Sequence, residues 1–384
     1  MCESHGTAAL RSLGLCVFIG LLGACATGRQ ASAPRVNQTP SVERLTEDCA
    51  GGNAKTCLDL GRRYRWGLEG PLGASRAAAM FQKACEGRNA EGCYNLGVSY
   101  EKGSGVPQDA SRAAALYQES CEGGAFLGCN DLGLSYEKGS GVPQDDVRAR
   151  ELYTKACDGG EVQGCTNLGW LYDRGRGVPE NERLAAALYE KACDGGNAQG
   201  CYNLGSAYEN GNGVPKDKRR ALALYDRACE RGLAESCYAL GAKYALGYEY
   251  GADVAKDKRR AISLFEKACE GRYAKSCNGL AIDYLLGDGV PKSVYSAVSL
   301  FEKACEYGYA DSCNRLGVYY EKGNEVPQDL SRAAAMYAKA CEGQHAEGCY
   351  NLGMSYEKGS GVPQDAARAA ELKQQAAARG FRAR

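Results

Sequence analysis

Cysteine is the residue whose number and spacing point most directly to chemistry in this chain. Of the 21 cysteines, 18 fall into nine pairs with seven residues between the partners. Partners at this spacing face each other across a short helix–turn–helix, within the usual reach of a disulfide. So many paired thiols predict an oxidising compartment. The predicted pairs are Cys49 with Cys57, Cys85 with Cys93, Cys121 with Cys129, Cys157 with Cys165, Cys193 with Cys201, Cys229 with Cys237, Cys269 with Cys277, Cys305 with Cys313, and Cys341 with Cys349.

Two other interpretations of the cysteines stay open. They could be reduced and buried in a cytosolic protein, or they could bind zinc. Zinc is the less favoured because its sites prefer short Cys-x₂₋₄-Cys knuckles. We therefore predict no metal site.

Few residues are available for acid–base or nucleophilic catalysis. The chain has two histidines, His5 and His345, so a Ser-His-Asp triad or a histidine-ligated zinc site has little material. His345 stands at a helix start, which predicts an exposed capping residue. One β-lactamase motif, Ser-x-x-Lys, does occur, at Ser99 with Lys102, Ser135 with Lys138, and Ser355 with Lys358. Because Ser-Asp-Asn and Lys-Thr-Gly are absent, we interpret these serines as solvated helix ends and predict no catalytic residue and no cofactor.

Amide and tyrosine side chains recur beside the second cysteine of each pair. Amides can hydrogen-bond the backbone of an extended peptide, and tyrosines supply contact area at low entropic cost. The alternative is that they are ordinary polar residues of a helix surface. Lys plus Arg equals Asp plus Glu, 47 each, so no basic field for nucleic acid is expected. The predicted peptide-binding residues are Tyr94, Asn95, Asn167, Tyr202, Asn203, Tyr238, Tyr350 and Asn351.

A repeated unit must position these residues. Residues 89–124 span 36 positions, and close copies begin at residues 53, 125, 161, 197, 233, 273, 309 and 345. A fixed period of this size is typical of a stacked repeat array. A first helix is predicted by the i, i+3, i+4, i+7 spacing of Cys93, Leu96, Gly97 and Tyr100. The recurrence of the glycine at 97 predicts close approach by a neighbouring helix.

The second half of the unit predicts a second helix. Asp109 stands where an N-cap is wanted, and Ala113, Leu116 and Tyr117 give an apolar face. One helix pair cannot bury its own apolar face, whereas stacked pairs can. The sequence therefore predicts an all-α fold, a right-handed α/α solenoid of about nine disulfide-stapled helix-pair repeats.

The repeated pattern G-C-Y-N-L-G-x-x-Y-E-x-G-x-G-V-P-x-D, followed by A-x-x-L/M-Y/F-x-x-A-C-x-x-G, resembles the Sel-like repeat family. This family is related to the tetratricopeptide repeats, and the Cys-x₇-Cys pairs resemble its cysteine-rich, Hcp-type branch. The resemblance covers about residues 45–375. It implies an adaptor whose first helices line a concave face and bind a protein or an extended peptide. Some Hcp-type members are described as penicillin-binding proteins or weak β-lactamases, so a β-lactam hydrolase is the alternative function.

The N-terminal residues predict export and a membrane anchor. Residues 13–22 form a short apolar core, and Leu22-Gly23-Ala24-Cys25 resembles a bacterial lipobox, which implies cleavage before Cys25 and lipid on its sulfur. An ordinary signal peptide is the alternative. We thus predict a signal peptide at 1–24, the lipidated Cys25 and a flexible tether at 25–40, and the solenoid at 41–384. Lipid anchoring implies a periplasm-facing outer-membrane location, or the cell surface, and we expect a monomer.

Three features of the solenoid itself complete the prediction. Ser41 to Ala50 is expected to form an N-terminal capping helix, and Ala366 to Ala378 a C-terminal one. The unit that begins at Leu233 carries four extra residues, which place an insertion around Gly247 to Val254. Insertions of this kind project from one face of a repeat array.

Overall fold

The computed structural model describes residues 41–67, 70–247, 256–323 and 325–382. These residues form 19 α-helices and no β-strand. The helices are α1 (Val42–Ala50), α2 (Ala54–Trp66), α3 (Gly70–Glu86), α4 (Ala90–Lys102), α5 (Ala110–Glu122), α6 (Phe126–Lys138), α7 (Asp146–Asp158), α8 (Val162–Arg174), α9 (Glu182–Asp194), α10 (Ala198–Asn210), α11 (Lys218–Glu230), α12 (Ala234–Leu246), α13 (Lys258–Glu270), α14 (Ala274–Leu286), α15 (Val294–Glu306), α16 (Ala310–Lys322), α17 (Leu330–Glu342), α18 (Ala346–Lys358) and α19 (Ala366–Ala378).

The helices stack as repeating pairs, as the sequence predicts. Each even-numbered helix is the first helix of a unit and packs against the odd-numbered second helix that follows it. Each second helix packs in turn against the first helix of the next unit. The predicted capping helices are α1, which packs on α2, and α19, which packs on α18. The fold is therefore an all-α solenoid.

Capping side chains set where the helices begin. In the unit of α4 and α5, Asn89 Oδ1 accepts from the backbone N–H of Gly92, and Asp109 Oδ1 accepts from the backbone N–H of Arg112. Both contacts satisfy amides that the first helical turn leaves without a partner. The first helix ends at Gly103, whose φ of 65° lies in the left-handed region that suits glycine.

The recurrent glycine of the first helix lies against an aromatic ring, which confirms the predicted close approach. A Cβ on Gly133 would lie 2.7 Å from Cε1 of Tyr153, a side chain that is 0% exposed. The Tyr153 hydroxyl donates to Glu137 Oε2 at 2.7 Å. Tyr117, Tyr225 and Tyr337 make the same bond to a glutamate in their own units.

One unit solves this contact with different residues. In α14 the glycine is replaced by Ala281, the tyrosine of the second helix by Phe301, and the glutamate by Leu285. Ala281 and Phe301 are both 0% exposed. The methyl group of Ala281 and the Phe301 ring belong to one buried cluster, without a hydroxyl–carboxylate bond. Loss of that bond is not sufficient by itself, because Gly61 and Gly241 also face phenylalanine rings, Phe81 and Phe265.

All nine predicted disulfides are formed in the structure. In each, the first cysteine lies at the end of one helix and its partner lies in the first turns of the next, with Cα–Cα distances of 4.4–4.8 Å. The bonded pairs are Cys49 with Cys57, Cys85 with Cys93, Cys121 with Cys129, Cys157 with Cys165, Cys193 with Cys201, Cys229 with Cys237, Cys269 with Cys277, Cys305 with Cys313, and Cys341 with Cys349. Each bridge therefore fastens one unit to the next.

The second cysteine of each pair is buried at least as deeply as the first. Cys57, Cys129, Cys165, Cys237, Cys277, Cys313 and Cys349 are all 2% exposed or less. They lie in first helices, between the second helices of their own and the preceding unit. Nine disulfides, most of them shielded in this way, indicate an oxidising, extracytoplasmic environment. The reduced, cytosolic interpretation of these cysteines is therefore set aside.

Several predicted features lie outside the described residues. They are the signal peptide at 1–24, Cys25, the tether up to residue 40 and residues 248–254 of the insertion. Within the described part of the chain, no helix is both long enough and apolar enough to cross a membrane.

Candidate functional site

The first helices form the more closely spaced of the two helical layers. Over the described residues, the second-neighbour helices that approach most closely are α2 with α4, α6 with α8, α8 with α10, and α16 with α18. All of these are first helices. Two layers that are joined unit by unit curve toward the layer with the closer spacing. The solvent-facing side of the first-helix layer is therefore called the inner face. The solvent-facing side of the second-helix layer is called the outer face.

A pocket of about 390 Å³ opens on the inner face between α8 and α10. Three of its lining residues are predicted peptide-binding residues, namely Asn167, Tyr202 and Asn203. We call it the amide pocket because four of its side chains are carboxamides that the two helices place in matching positions. The remaining lining residues include Gln163, Trp170, Asp173, Arg174, Gln199 and Ser206.

Hydrogen bonds fix the carboxamides of this pocket. Gln163 Nε2 donates to Asn167 Oδ1 at 3.0 Å, and one unit later Gln199 Nε2 donates to Asn203 Oδ1 at 2.9 Å. The ladder continues between units, because Asn167 Nδ2 donates to Asn130 Oδ1 at 2.9 Å. A carboxamide carries two donors and an acceptor with two lone pairs. Gln163 Oε1 in turn accepts from Asn197 Nδ2 at 2.8 Å. What the Gln163–Asn167 pair can still offer a ligand is therefore the second N–H of each amide and the remaining lone pairs.

A second pocket, of about 380 Å³, opens between α16 and α18. It lies in the same register four units further along. Asp311 corresponds to Gln163, Asn314 to Thr166, and Val318 to Trp170. We call it the charged pocket because its lining includes Asp311, Arg315, Lys322 and Glu347. The predicted residue Asn351 lies beside it and donates from Nδ2 to Asn314 Oδ1 at 3.0 Å.

Not every predicted amide is free to meet a partner. Asn95 is only 4% exposed, accepts from Arg65 Nη1 at 2.7 Å and donates to the Glu91 carbonyl at 2.7 Å. Asn95 therefore helps to join α2 to α4. Asn167, Asn203 and Asn351 keep partly exposed side chains. The structure thus gives these four asparagines different surroundings, although the sequence places them in one register.

Three of the predicted tyrosines pack against rings of second helices, and the fourth packs against a ring that follows α19. Ring centroids lie 5.8 Å apart for Tyr94 with Tyr117 and 5.4 Å apart for Tyr202 with Tyr225. Tyr238 packs on Phe265, and Tyr350 packs on Phe381. Burial, helped by the nearby Glu235 carboxylate, raises the pKa of Tyr202 to about 12. Its hydroxyl is hydrogen-bonded to Glu235, so the ring supplies mainly aromatic surface at the edge of the amide pocket.

Sequence reasoning missed Trp170, Gln163 and Gln199, which complete the amide pocket. The guanidinium of Arg176 lies 5.2 Å from the centre of the Trp170 ring and holds one side of it. A signal was present in the sequence. Trp170 falls at the position that Val98, Leu134 and Ser206 occupy in other units, so it is an unusually large residue for its register.

Comparison with known proteins agrees with this architecture. The Sel1 repeat profile matches nine consecutive segments, at residues 54–89, 90–124, 127–161, 162–197, 198–233, 234–273, 274–309, 310–345 and 346–381. The chain belongs to the Sel1 repeat family. Sel1 repeat proteins are in general scaffolds for protein interactions. A comparison with curated proteins gave no match.

Solved structures of other Sel1 repeat proteins are similar to this one. A Sel1 repeat protein from Oxalobacter formigenes is 26% identical over 81% of this chain and 89% of its own, with a TM-score of 0.57. The protective antigen c5321 of uropathogenic Escherichia coli is 27% identical over 88% and 79%, with a TM-score of 0.49. Helicobacter pylori cysteine-rich protein B is 31% identical over 34% and 93%, with a TM-score of 0.29.

The Ser-x-x-Lys motifs of this Sel1 repeat protein are part of its packing. Ser99, Ser135 and Ser355 are 6%, 9% and 8% exposed. Each hydroxyl donates to the carbonyl four residues earlier in its own helix, at 2.9–3.1 Å. The expectation of solvated serines was therefore wrong, because the bond to the helix carbonyl allows a hydroxyl to be buried. This packing gives the β-lactam hydrolase alternative no support.

The remaining candidates for chemistry also have structural roles. His345 is the N-cap of α18, and its Nδ1 accepts from the Gly348 backbone N–H at 3.1 Å. Its position is as predicted, but the side chain is partly buried. Cys85, Cys93 and Glu119 place two sulfurs and a carboxylate within 4.8 Å of one another. The two sulfurs form a disulfide, so they offer no thiolate to a metal.

Proposed function

We propose that this Sel1 repeat protein is an envelope-anchored scaffold that holds an extended polypeptide segment along its inner face. The observation that carries the proposal is the pair of pockets in equivalent register, the amide pocket and the charged pocket, on one continuous layer of first helices. Asn167, Tyr202 and Asn203 line the first, and Asn351 lies beside the second.

The spacing of the units favours an extended ligand. Packed helices lie about 8–10 Å apart, so four units cover roughly 32–40 Å. An extended chain advances about 3.3 Å per residue, and a segment of about 10–12 residues therefore reaches from one pocket to the other. A compact ligand would fill one pocket only.

The chemistry of the amide pocket favours a polypeptide. Carboxamides can donate to carbonyls and accept from N–H groups of a backbone at the same time. Trp170 and Tyr202 add rigid aromatic surface, which is typical of the residues that dominate binding energy at protein interfaces. The pocket is thus suited to a main chain with a side chain inserted against the indole.

The proposal of a membrane anchor is supported by the cysteines that do not form disulfides. Cys2 and Cys16 fall in the predicted signal peptide, and the nine disulfides use 18 others. Cys25 alone remains, at the position where the lipobox resemblance implies lipid attachment. We propose that this lipid holds the scaffold at the outer membrane, with the solenoid facing the periplasm or the cell surface.

The amide pocket can be tested with a matched pair of substitutions. Trp170→Ser installs the residue that Ser206 provides at the same register of α10. Tyr295→Ser, the control, removes an outer-face aromatic that is 81% exposed and installs the residue found at Ser111. The probe is a library of fluorescent 12-residue peptides. Fluorescence polarisation identifies the peptides that bind the wild-type protein, and these are then titrated against both variants.

Loss of an aromatic hot spot costs about 2 kcal/mol or more, which is about 30-fold in Kd. We therefore expect Trp170→Ser to weaken the selected peptides by about that factor and Tyr295→Ser to leave them unchanged. Equal affinities for all three proteins would place the binding surface elsewhere. Failure of the wild-type protein to bind any peptide would refute a peptide-binding inner face.

A further inference from the structure

The inner face becomes apolar between the two pockets. The first helices α12 and α14 carry Ala239 and Gly279 at the register where α8 and α10 carry asparagine. At the register of Lys102 they carry Leu246 and Leu286. We call this surface the apolar step, and it consists of Ala239, Ala242, Leu246, Gly279, Ile282 and Leu286.

The two leucines are exposed at a register where five of the other seven first helices carry a cation, the remaining two carrying Asn210 and the exposed Trp66. Leu246 is 57% exposed and Leu286 is 72% exposed. At the same register five other units carry an exposed cation, namely Lys102, Lys138, Arg174, Lys322 and Lys358. A buried role in the solenoid core therefore does not account for the leucines. The exchange removes charge from two neighbouring units and leaves apolar surface in water.

Gly279 is a separate observation on the same surface. It lies inside α14, where glycine is less favourable than alanine by about 1 kcal/mol. A Cβ at Gly279 would meet no atom of the described residues within 4 Å, whereas a Cβ at Gly133 would lie 2.7 Å from the Tyr153 ring. Packing within the described chain thus explains Gly133 but not Gly279. Close approach of a ligand backbone is a recurrent reason for glycine at such a position.

We propose that the apolar step selects apolar side chains in the polypeptide that occupies the inner face. This inference rests on the proposed function, because the occupant is the same extended segment. The step lies directly between the amide pocket and the charged pocket. A segment that reaches both must cross it, with its backbone closest to the helices at Gly279.

The charges around the step agree with an uncharged stretch of ligand. At the N-terminal ends of α12 and α14 the exposed residues are Glu235 and Lys275, one acid and one base. The six residues of the step carry no ionisable side chain, whereas the charged pocket carries Arg315 and Lys322. Beside the step lie two partly buried ionisable residues, Asp283 and Lys243, the latter paired with Glu209 at 2.6 Å. One unit covers about 8–10 Å. An extended segment in the polyproline II conformation advances about 3.1 Å per residue with three residues per turn, so the selected side chains should be spaced about three residues apart, on one face of the segment.

Substitutions that restore the residues of other units provide the test. Leu246→Lys combined with Leu286→Lys installs the repeat's own lysine at two exposed positions, so folding should be unaffected. The matched control is Leu184→Arg, which installs the residue that Arg112 and Arg148 provide at the same register of the outer face. The probe is a positional-scanning library of 12-residue peptides read by fluorescence polarisation.

The wild-type protein and the Leu184→Arg control should both select Leu, Ile, Val, Met or Phe at two positions about three residues apart. The double lysine variant should lose that selection and bind the selected peptide at least tenfold more weakly. Gly279→Ala should melt no earlier than the wild-type protein and yet bind the selected peptide about tenfold more weakly.

The outcomes separate this inference from the proposed function. If peptides bind, Trp170→Ser weakens their binding, and no preference for apolar residues is found, then the inner face binds peptides but the apolar step does not select them. If Trp170→Ser has no effect, the proposed function itself fails. Light scattering tests whether a second copy of the chain covers the step instead. Self-association of the wild-type protein but not of the double lysine variant, together with no apolar preference among the peptides, would overturn the inference.

Discussion

Gly133→Ala tests how firmly the aromatic rings lock the units together. The new Cβ would lie 2.7 and 2.8 Å from two carbons of the Tyr153 ring. The ring cannot yield freely, because its hydroxyl is bonded to Glu137 and the side chain is 0% exposed. Overpacking of a buried site costs about 1–3 kcal/mol, and the gain in helix propensity returns about 1 kcal/mol. With strain on the Tyr153–Glu137 bond added, worth about 1.5–3 kcal/mol when intact, we expect a net loss of roughly 1–3 kcal/mol.

The loss should be local, since each unit contacts only its neighbours. Hydrogen exchange of the amides of α6 and α7 measures it directly, whereas a single melting temperature averages over the array. Gly279→Ala is the matched control and should be stabilising by up to about 1 kcal/mol, because its Cβ meets open space.

A compensated variant gives the sharper comparison. Gly133→Ala combined with Tyr153→Phe and Glu137→Leu reproduces the set found at Ala281, Phe301 and Leu285. It should recover much of the lost protection, because the ring is no longer tethered. If Gly133→Ala alone protects its amides as well as the wild-type protein does, the ring is not fixed and the account of this contact is wrong.

Three further predictions concern the covalent and ionisable groups. Replacing Cys193 and Cys201 together by serine should destabilise α9 and α10 by about 2.5 kcal/mol from loop entropy, and hydrogen-exchange losses spread over all units would contradict a local role. Burial raises the pKa of Asp131, so the folded state disfavours its charged form, and stability falls as pH rises above the ordinary carboxyl pKa of about 4. In denaturant titrations, Asp131→Asn should therefore have the same free energy of unfolding as the wild type near pH 3 and a higher one at pH 7. Wild-type protein should incorporate labelled palmitate and fractionate with membranes, and Cys25→Ala protein that remains equally membrane-bound would rule out the lipid anchor.

The repeat pattern was sufficient to predict most of the fold. N-caps and cysteine spacing are local, so Asp109 could be assigned from one unit, and the role of Gly97 followed from its recurrence in the other units. The predicted C-terminal helix Ala366–Ala378 has those bounds in the structure. The predicted N-terminal helix begins one residue later, because Ser41 is its N-cap.

The binding surface was harder to predict because contacts between units decide which side chains are available. Arg65 lies 30 positions before Asn95 and still occupies its carboxamide oxygen. The helical register of Asn95 gives the face of its helix but not this long cation from the previous unit. Trp170 was missed because most other units carry an apolar residue at its position, so the sequence alone does not mark it as a binding residue. Its place in a pocket becomes visible only when the neighbouring helix α10 is present.

Departures from the repeat divide into two physical classes. Ala281 departs together with Phe301 and Leu285, which belong to the same core cluster, so this departure is coupled to changes inside the molecule. Gly279 departs without any such change, because among the described residues no atom lies within 4 Å of the position that its Cβ would take. In a repeat array every unit has the same need to pack, and its other copies show which residues meet that need. A departure that costs helix stability and improves no internal contact therefore points to something outside the chain.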